Sequence, residues 1–253
     1  MIDNDRFAVM AEAYDIAAPY FVPRYDAMQE DVAALLPFDA MKELFFLDLG
    51  AGSGRLLERL LRRFPRSRAV WLDSSAPFME RARSRLTPFA GRVDFRLGKI
   101  EESPGPADRA RFDAIVSSNA IHHCDSAGKK ALFGRCLAAL KPGGWFANLD
   151  ETRCEDKGVY LDDMLLWVNH AERAQAALPE GVADAYRTML AHFEKWKERN
   201  IAGIDAPKAP GDDVHESAAA QVSWLGDAGF ERCGLYSKYR LWALMGGRKP
   251  VTA

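Results

Sequence analysis

The run Leu44-Phe45-Phe46-Leu47-Asp48-Leu49 constrains this chain more than any other feature. It is followed at once by Gly50-Ala51-Gly52-Ser53-Gly54, then by Leu56, Leu57, Leu60, Leu61 and Phe64. A short apolar run closed by a turn signal reads as a buried strand, and the leucine spacing after it as a helix with one apolar face. The intervening glycines mark a backbone that turns tightly and leaves room for close approach. The free N–H groups at the helix start suit a polar or anionic ligand.

The alternation continues. Residues 69–73, 93–97, 112–118 and 145–149 read as strands, residues 76–86 and 129–140 as helices, and Lys141-Pro142-Gly143-Gly144 as a turn. Strands alternating with helices imply parallel βαβ units and a sheet covered on both faces. Ahead of them, residues 5–36 read as helical, broken into short pieces by Pro19 and Pro23. Behind them, residues 155–202 carry helical stripes only: Leu161, Met164, Leu165 and Val168, then Tyr186, Met189, Leu190, Phe193 and Trp196. Residues 203–214 read as a loop, 216–228 as a helix stopped by Gly229, and 230–239 and 241–245 as a pair of strands.

The chain has 253 residues, 48% hydrophobic and 28% charged, which excludes a disordered or fibrous protein. Net charge is −2, without the basic surplus of a dedicated nucleic-acid binder. Cys124, Cys136, Cys154 and Cys233 are widely spaced, with no metal or disulfide pattern, and read as free thiols. No metal is expected. Met1-Ile2-Asp3-Asn4 begins no signal peptide, and no apolar run reaches the ~18 residues of a membrane helix. The expectation is a cytoplasmic protein that does not contact a membrane.

The glycine loop is neither of two familiar nucleotide signatures. GxxxxGK is absent, and GxGxxG fails because Arg55 stands where the last glycine belongs. What remains is GxGxG with Asp48 two residues ahead. Asp73 ends the second strand 19 residues beyond Gly54, where a carboxylate can accept from both hydroxyls of a ribose, while Ser74 or Ser75 can cap the next helix.

Together these residues resemble class I S-adenosylmethionine-dependent methyltransferases. The motifs are Asp48 through Gly54, Trp71-Leu72-Asp73-Ser74-Ser75, Phe112 through His123 and Leu140-Lys141-Pro142-Gly143-Gly144. The resemblance implies a Rossmann-like α/β fold, a seven-stranded mostly parallel sheet with helices on both faces. It would form a single domain over 1–253, with an N-terminal helical lid at 1–40 and a cofactor-binding core at 41–154. A helical cap insertion after strand five would occupy 155–214, and a C-terminal helix and strand pair 215–253. It implies S-adenosyl-L-methionine as cofactor. Asp48, Gly50, Ala51, Gly52 and Gly54 would surround the methionine moiety, Asp73 and Ser74 the ribose, Lys99 and Ile100 the adenine, and Asn119 the sulfonium. Lys99 departs from the family's usual Asp and cannot accept the adenine amino proton.

Phe21-Val22-Pro23-Arg24-Tyr25-Asp26, the insertion, and Ala228-Gly229-Phe230 leading into residues 236–248 resemble more narrowly the branch holding the carboxy-S-adenosylmethionine synthases of tRNA wobble-uridine modification. That likeness adds Tyr14, Arg24 and Tyr25 as cofactor or substrate contacts, or as packing residues of the lid. Those synthases lack the middle loop glycine, and this chain keeps Gly52, which favours an ordinary methyl donor. For the chemistry, His122, His123 and Asp150 are the candidate acid–base residues, with Glu151 beside them. The histidine pair reads equally as structural, and the two acids as a turn or helix cap. The expected function is in-line methyl transfer to a small-molecule acceptor. The alternatives are a carboxy-S-adenosylmethionine synthase or tRNA-modifying enzyme, and a non-catalytic cofactor-binding regulator. Nucleic acid is not an expected partner.

Overall fold

The computed structural model describes residues 4–209 and 212–251, with side chains from residue 9 onward. The reading of Met1, Ile2 and Asp3 as unlike a signal peptide, and residues 210–211 of the expected loop, lie outside the described residues. Seven strands form one sheet: β1 (Phe45–Leu49), β2 (Arg68–Asp73), β3 (Val93–Leu97), β4 (Phe112–Ser118), β5 (Leu140–Glu151), β6 (Glu231–Tyr239) and β7 (Trp242–Arg248). Their order is β3-β2-β1-β4-β5-β7-β6, with β7 antiparallel to both neighbours and the other pairs parallel. The strand order reverses direction between β1 and β4, the switch point at which open α/β sheets bind ligands outside the carboxyl ends of their strands.

Side-chain alternation assigns the two faces. Phe46, Trp71, Val116, Leu149 and Trp242 share a core with α1 (Asn4–Phe21), α2 (Tyr25–Leu35), α3 (Arg55–Arg63), α4 (Ala76–Arg85), α6 (Lys157–Ala174) and α7 (Ala183–Lys197). Leu47, Leu72, Ile115 and Phe146 pack on the other face with α5 (Ser126–Ala139) and α8 (Ala218–Ala228). The lid and the cap insertion therefore meet on one face. There Phe21 of α1 meets Trp167 of α6 and Phe193 of α7 edge-on, with ring centroids 6.1 and 4.9 Å away.

Two expectations are corrected. Pro19 does not break the first helix, which runs to Phe21. A proline there removes only the N–H that would bond the Asp15 carbonyl, and Arg55 Nη2 donates to that carbonyl instead, at 2.5 Å. The break falls at Val22 to Arg24, ahead of α2. Secondly, the Lys141-Pro142-Gly143-Gly144 turn is absorbed into β5 as an irregularity. Leu140 pairs with Phe112 and Trp145 with Ala114. Gly143 is left-handed (φ 78°), and a Cβ on Gly144 would stand 2.9 Å from two carbonyl oxygens, so the excursion requires both glycines.

Candidate active site

The glycine loop leads from the carboxyl end of β1 into α3 and is hydrogen-bonded to the carboxyl end of β2. Gly50, Gly52 and Gly54 all take positive φ. At Gly50 a Cβ would lie 2.3 Å from Ala120 Cβ, so this glycine lets the turn after β4 close on the loop. At Gly52 a Cβ would meet nothing within 4 Å. The Gly52 N–H donates to Asp73 Oδ2 (2.9 Å), and the Gly52 carbonyl accepts from Trp71 Nε1 (2.9 Å). Ala51 N–H bonds the Leu72 carbonyl at 3.0 Å, and Gly54 occupies the N-cap position of α3.

Asp73 Oδ1 accepts from Ser75 N–H (2.9 Å), and Ser75 Oγ caps α4 by accepting from Phe78 N–H (3.3 Å). Ser75 rather than exposed Ser74 is thus the cap. Each Asp73 oxygen carries a second acceptor direction, and the carboxylate remains half-buried. Burial raises its pKa against the backbone bonds that lower it.

Asp48 is 1% exposed, and its Oδ2 makes no hydrogen bond. Burial, with the nearby charge of Asp73, raises its pKa well above the ordinary carboxyl value. An unsatisfied buried carboxyl calls for a cationic donor. The open space at Gly52, the orphaned Asp48 oxygen and the spare acceptor directions of Asp73 fit S-adenosylmethionine in its ammonium, sulfonium and ribose parts. Because the pKa is raised, the neutral carboxyl stabilises the fold below pH 3.8, and this contribution is lost as pH rises through the raised value. Asp48→Asn is therefore expected to melt higher than the unliganded parent at pH 8, by on the order of 1–3 kcal/mol. The gap should narrow toward pH 5 in calorimetric scans, and an Asn variant less stable at pH 8 would contradict the assignment.

The other sequence candidates fall as follows. Asn119 (φ 53°) bonds its N–H to the Leu149 carbonyl, and its Oδ1 accepts from Trp242 Nε1 at 3.1 Å. Lys99 is exposed, and the Ile100 carbonyl accepts from Arg135 Nη2 (3.1 Å). Tyr14 sits edge-on to Phe78 (5.8 Å). Burial and its neighbour Tyr25, to which it is hydrogen-bonded, raise its pKa well above 10.0, with Glu151 adding to the rise. Arg24 is exposed and lies 5.1 Å over the Tyr239 ring at the far sheet edge, apart from the loop.

Strand alternation separates the two acids that end β5. Asp150 follows Phe146 and Asn148 onto the α5/α8 face. There Oδ1 lies 2.6 Å from His122 Nδ1, and Oδ2 accepts from His122 N–H (2.9 Å). Burial lowers the His122 pKa, but Asp150, Glu151 and Asp213 outweigh it and raise the value to about 10. A group protonated throughout the neutral range does not serve as a proton acceptor there. His123 is 58% exposed, with Nδ1 3.1 Å from Asp213 Oδ1. Glu151 follows Leu149 onto the face of Asp48 and Tyr14.

Three features escaped the sequence. Arg55, met there only as a missing glycine, places Nε 3.3 Å from Asp15 Oδ1. Arg85 joins the same carboxylate (2.6 Å), the Ser53 carbonyl (3.0 Å) and Glu58 (3.2 Å), clamping α1 to the glycine loop. Behind Glu151, Oε2 stands 3.0 Å from His215 Nε2, off hydrogen-bond alignment, while His215 Nδ1 lies 2.6 Å from the Tyr160 hydroxyl. Asp213, from the segment leading into α8, meets both His122 and His123. Only the Glu151 placement carried a signal, the alternation along β5.

Residues 46–144 match the family described as "Methyltransferase domain". This stretch, from β1 into β5, is therefore similar to methyltransferase domains. The chain is 33% identical over 106 residues to the ubiquinone biosynthesis O-methyltransferase of Bradyrhizobium sp., covering 42% of this chain and 39% of that protein. A longer match, 28% identical over 212 residues, is to the trans-aconitate 2-methyltransferase of Paracidovorax citrulli, covering 79% of this chain and 73% of the relative. Human N-acetylserotonin methyltransferase, solved in complex with S-adenosylmethionine, shares the fold with a TM-score of 0.58 at 15% identity, over 89% of this chain and 52% of that one. The chain spans less than half the length of several curated relatives it matches. All four cysteines are free thiols. No helix among the described residues is long and apolar enough to cross a membrane.

Proposed function

We propose that this protein transfers the methyl group of S-adenosylmethionine to a small molecule that carries a hydroxyl. The observation that carries the reading is the shared face. Alternation along the strands turns Asp48, Asp73 and Glu151 to the sheet face covered by α1 to α4, α6 and α7, and Gly52, open where a Cβ would stand, is bonded to Asp73. The two curated relatives above are, by name, an O-methyltransferase and a methyltransferase of trans-aconitate, which supports a small acceptor. Gly52 and the absence of a basic surplus support methyl transfer over a carboxylated donor or a tRNA substrate.

The bound cofactor supplies a methyl already activated by its sulfonium, so the protein's task is positioning, worth up to roughly 7–11 kcal/mol in favourable cases. Asp48 and the loop amides hold one end and Asp73 the ribose. The lid clamp through Arg55, Arg85 and Asp15 excludes water. Glu151 receives the acceptor's proton, oriented by His215 and, behind it, Tyr160. His122 and Asp150 act as a charged brace under the turn that presents Asn119 and Ala120.

Incubation of the full chain with methyl-labelled S-adenosylmethionine and a metabolite extract should place label in a small molecule. Label in added tRNA and not in metabolites would overturn the reading. Glu151→Gln is expected to lower kcat by roughly 10²–10⁴-fold while S-adenosylhomocysteine binds within a few-fold of the parent. An unchanged kcat would remove Glu151 from the proton path.

A further inference from the structure

We propose that His122, His123 and Asp213 bind one divalent transition-metal ion of the zinc class, which pins the segment leaving the cap insertion to the turn after β4. One ligand atom from each residue lies within 4.8 Å of the others. Asp213 Oδ1 is 3.1 Å from His123 Nδ1 and 3.8 Å from His122 Nε2. Ligands about 2.1 Å from a tetrahedral ion stand about 3.4 Å apart, so small side-chain rotations complete the set.

The surroundings are those of a built site. The His122 ring is held by Asp150 Oδ1 on Nδ1 (2.6 Å), which leaves Nε2 facing Asp213. A carboxylate behind a ligating histidine is the usual device for fixing tautomer and direction. Asp213 is held in place by its neighbour, since the Val214 N–H donates to the His122 carbonyl (2.8 Å) and Lys129 Nζ donates to the Val214 carbonyl (2.5 Å). His123 is 58% exposed, so an ion can reach the site from solvent. Asp150 and Glu151 add negative charge beside the imidazoles.

Two imidazoles with one carboxylate suit zinc, cobalt, nickel or iron(II), whereas magnesium and calcium require oxygen donors. Water would fill the remaining positions. The site is illegible in sequence because its third ligand lies ninety residues from the first two and reaches them only through the return from the cap. It does not depend on the methyl-transfer reading, in which His123 and Asp213 take no part and His122 only braces the turn after β4, a task that its bond to Asp150 continues when Nε2 holds a metal in place of a proton.

The test uses the untagged full chain after treatment with a chelator. Cobalt(II) chloride is expected to give the visible absorption of a four- or five-coordinate ion, saturating at one equivalent and displaced by zinc, and zinc should raise the melting temperature. His123→Ala, at an exposed position, should abolish the bands and weaken zinc binding at least tenfold without altering the metal-free melt. Asp213→Asn should do the same to the bands. Asp150→Asn should weaken binding by roughly 10–100-fold while keeping one equivalent. No visible bands in the parent, or bands that persist unchanged in His123→Ala, would overturn the proposal. So would a melt insensitive to zinc, which would leave Asp213 as a metal-free ion-pair partner of the histidines.

Discussion

Asp73→Ala is expected to weaken S-adenosylhomocysteine binding by roughly 10- to 150-fold, the equivalent of about 1.5–3 kcal/mol for hydrogen bonds to a charged group. The carboxylate does two jobs. Its Oδ2 fixes the Gly52 N–H and its Oδ1 the Ser75 N–H, each at 2.9 Å, and on the proposed reading it accepts from the ribose as well. Removal deletes the ribose acceptor and releases the loop residue that stands beside the cofactor. Ser74→Ala, at an exposed position that is not the cap of α4, should change affinity by less than twofold. Calorimetric titration of the two variants checks this, and an Asp73→Ala chain that binds like the parent would remove Asp73 from the site.

The loop glycines should separate fold from ligand. Gly50→Ala places a Cβ 2.3 Å from Ala120 Cβ at φ 65°. Left-handed strain of about 1–2 kcal/mol adds to overpacking of about 1–3 kcal/mol. At roughly 2–4 °C per kcal/mol for a domain of this size, the melt should fall by about 4–20 °C. Gly52→Val meets open space at φ 50°, so it should cost little beyond the backbone strain, yet fill the volume that the proposed function gives to the cofactor. Its melt should stay within a few degrees of the parent while S-adenosylhomocysteine binding is lost. Equal behaviour of the two variants would contradict the assignment of Gly50 to packing and Gly52 to ligand approach.

The order of strands and helices was legible because each buried strand is an uninterrupted apolar run and each covering helix keeps one apolar stripe. The loop was legible for a related reason, since glycines cluster only where the backbone must do something a side chain forbids. Pro19 misled because a proline in the last turn of a helix removes one N–H, and whether that matters depends on who claims the orphaned carbonyl. Arg55 claims it from forty residues away. The Lys141-Pro142-Gly143-Gly144 stretch misled because a strand can carry an excursion when its glycines clear the neighbouring carbonyls.

The acid pair after β5 was within reach of sequence reasoning, since alternation alone sends Asp150 and Glu151 to opposite faces. Topology placed both at the same end of the sheet, and only alternation divides them between the α5/α8 face and the lid face. The partners of these acids were out of reach. His215 and Asp213 arrive by the return path of an insertion whose own sequence carries only helical stripes, and no local spacing encodes where such a segment lands.

The central claim is that the β1–β2 crossover grips an adenosyl sulfonium through the open side of its glycine loop, a buried carboxyl and a ribose acceptor. Titrating the full chain with S-adenosylmethionine by calorimetry tests it most directly. Saturable heat at one equivalent, lost in Gly52→Val, is the expected result; no saturable heat with the parent chain would contradict the account.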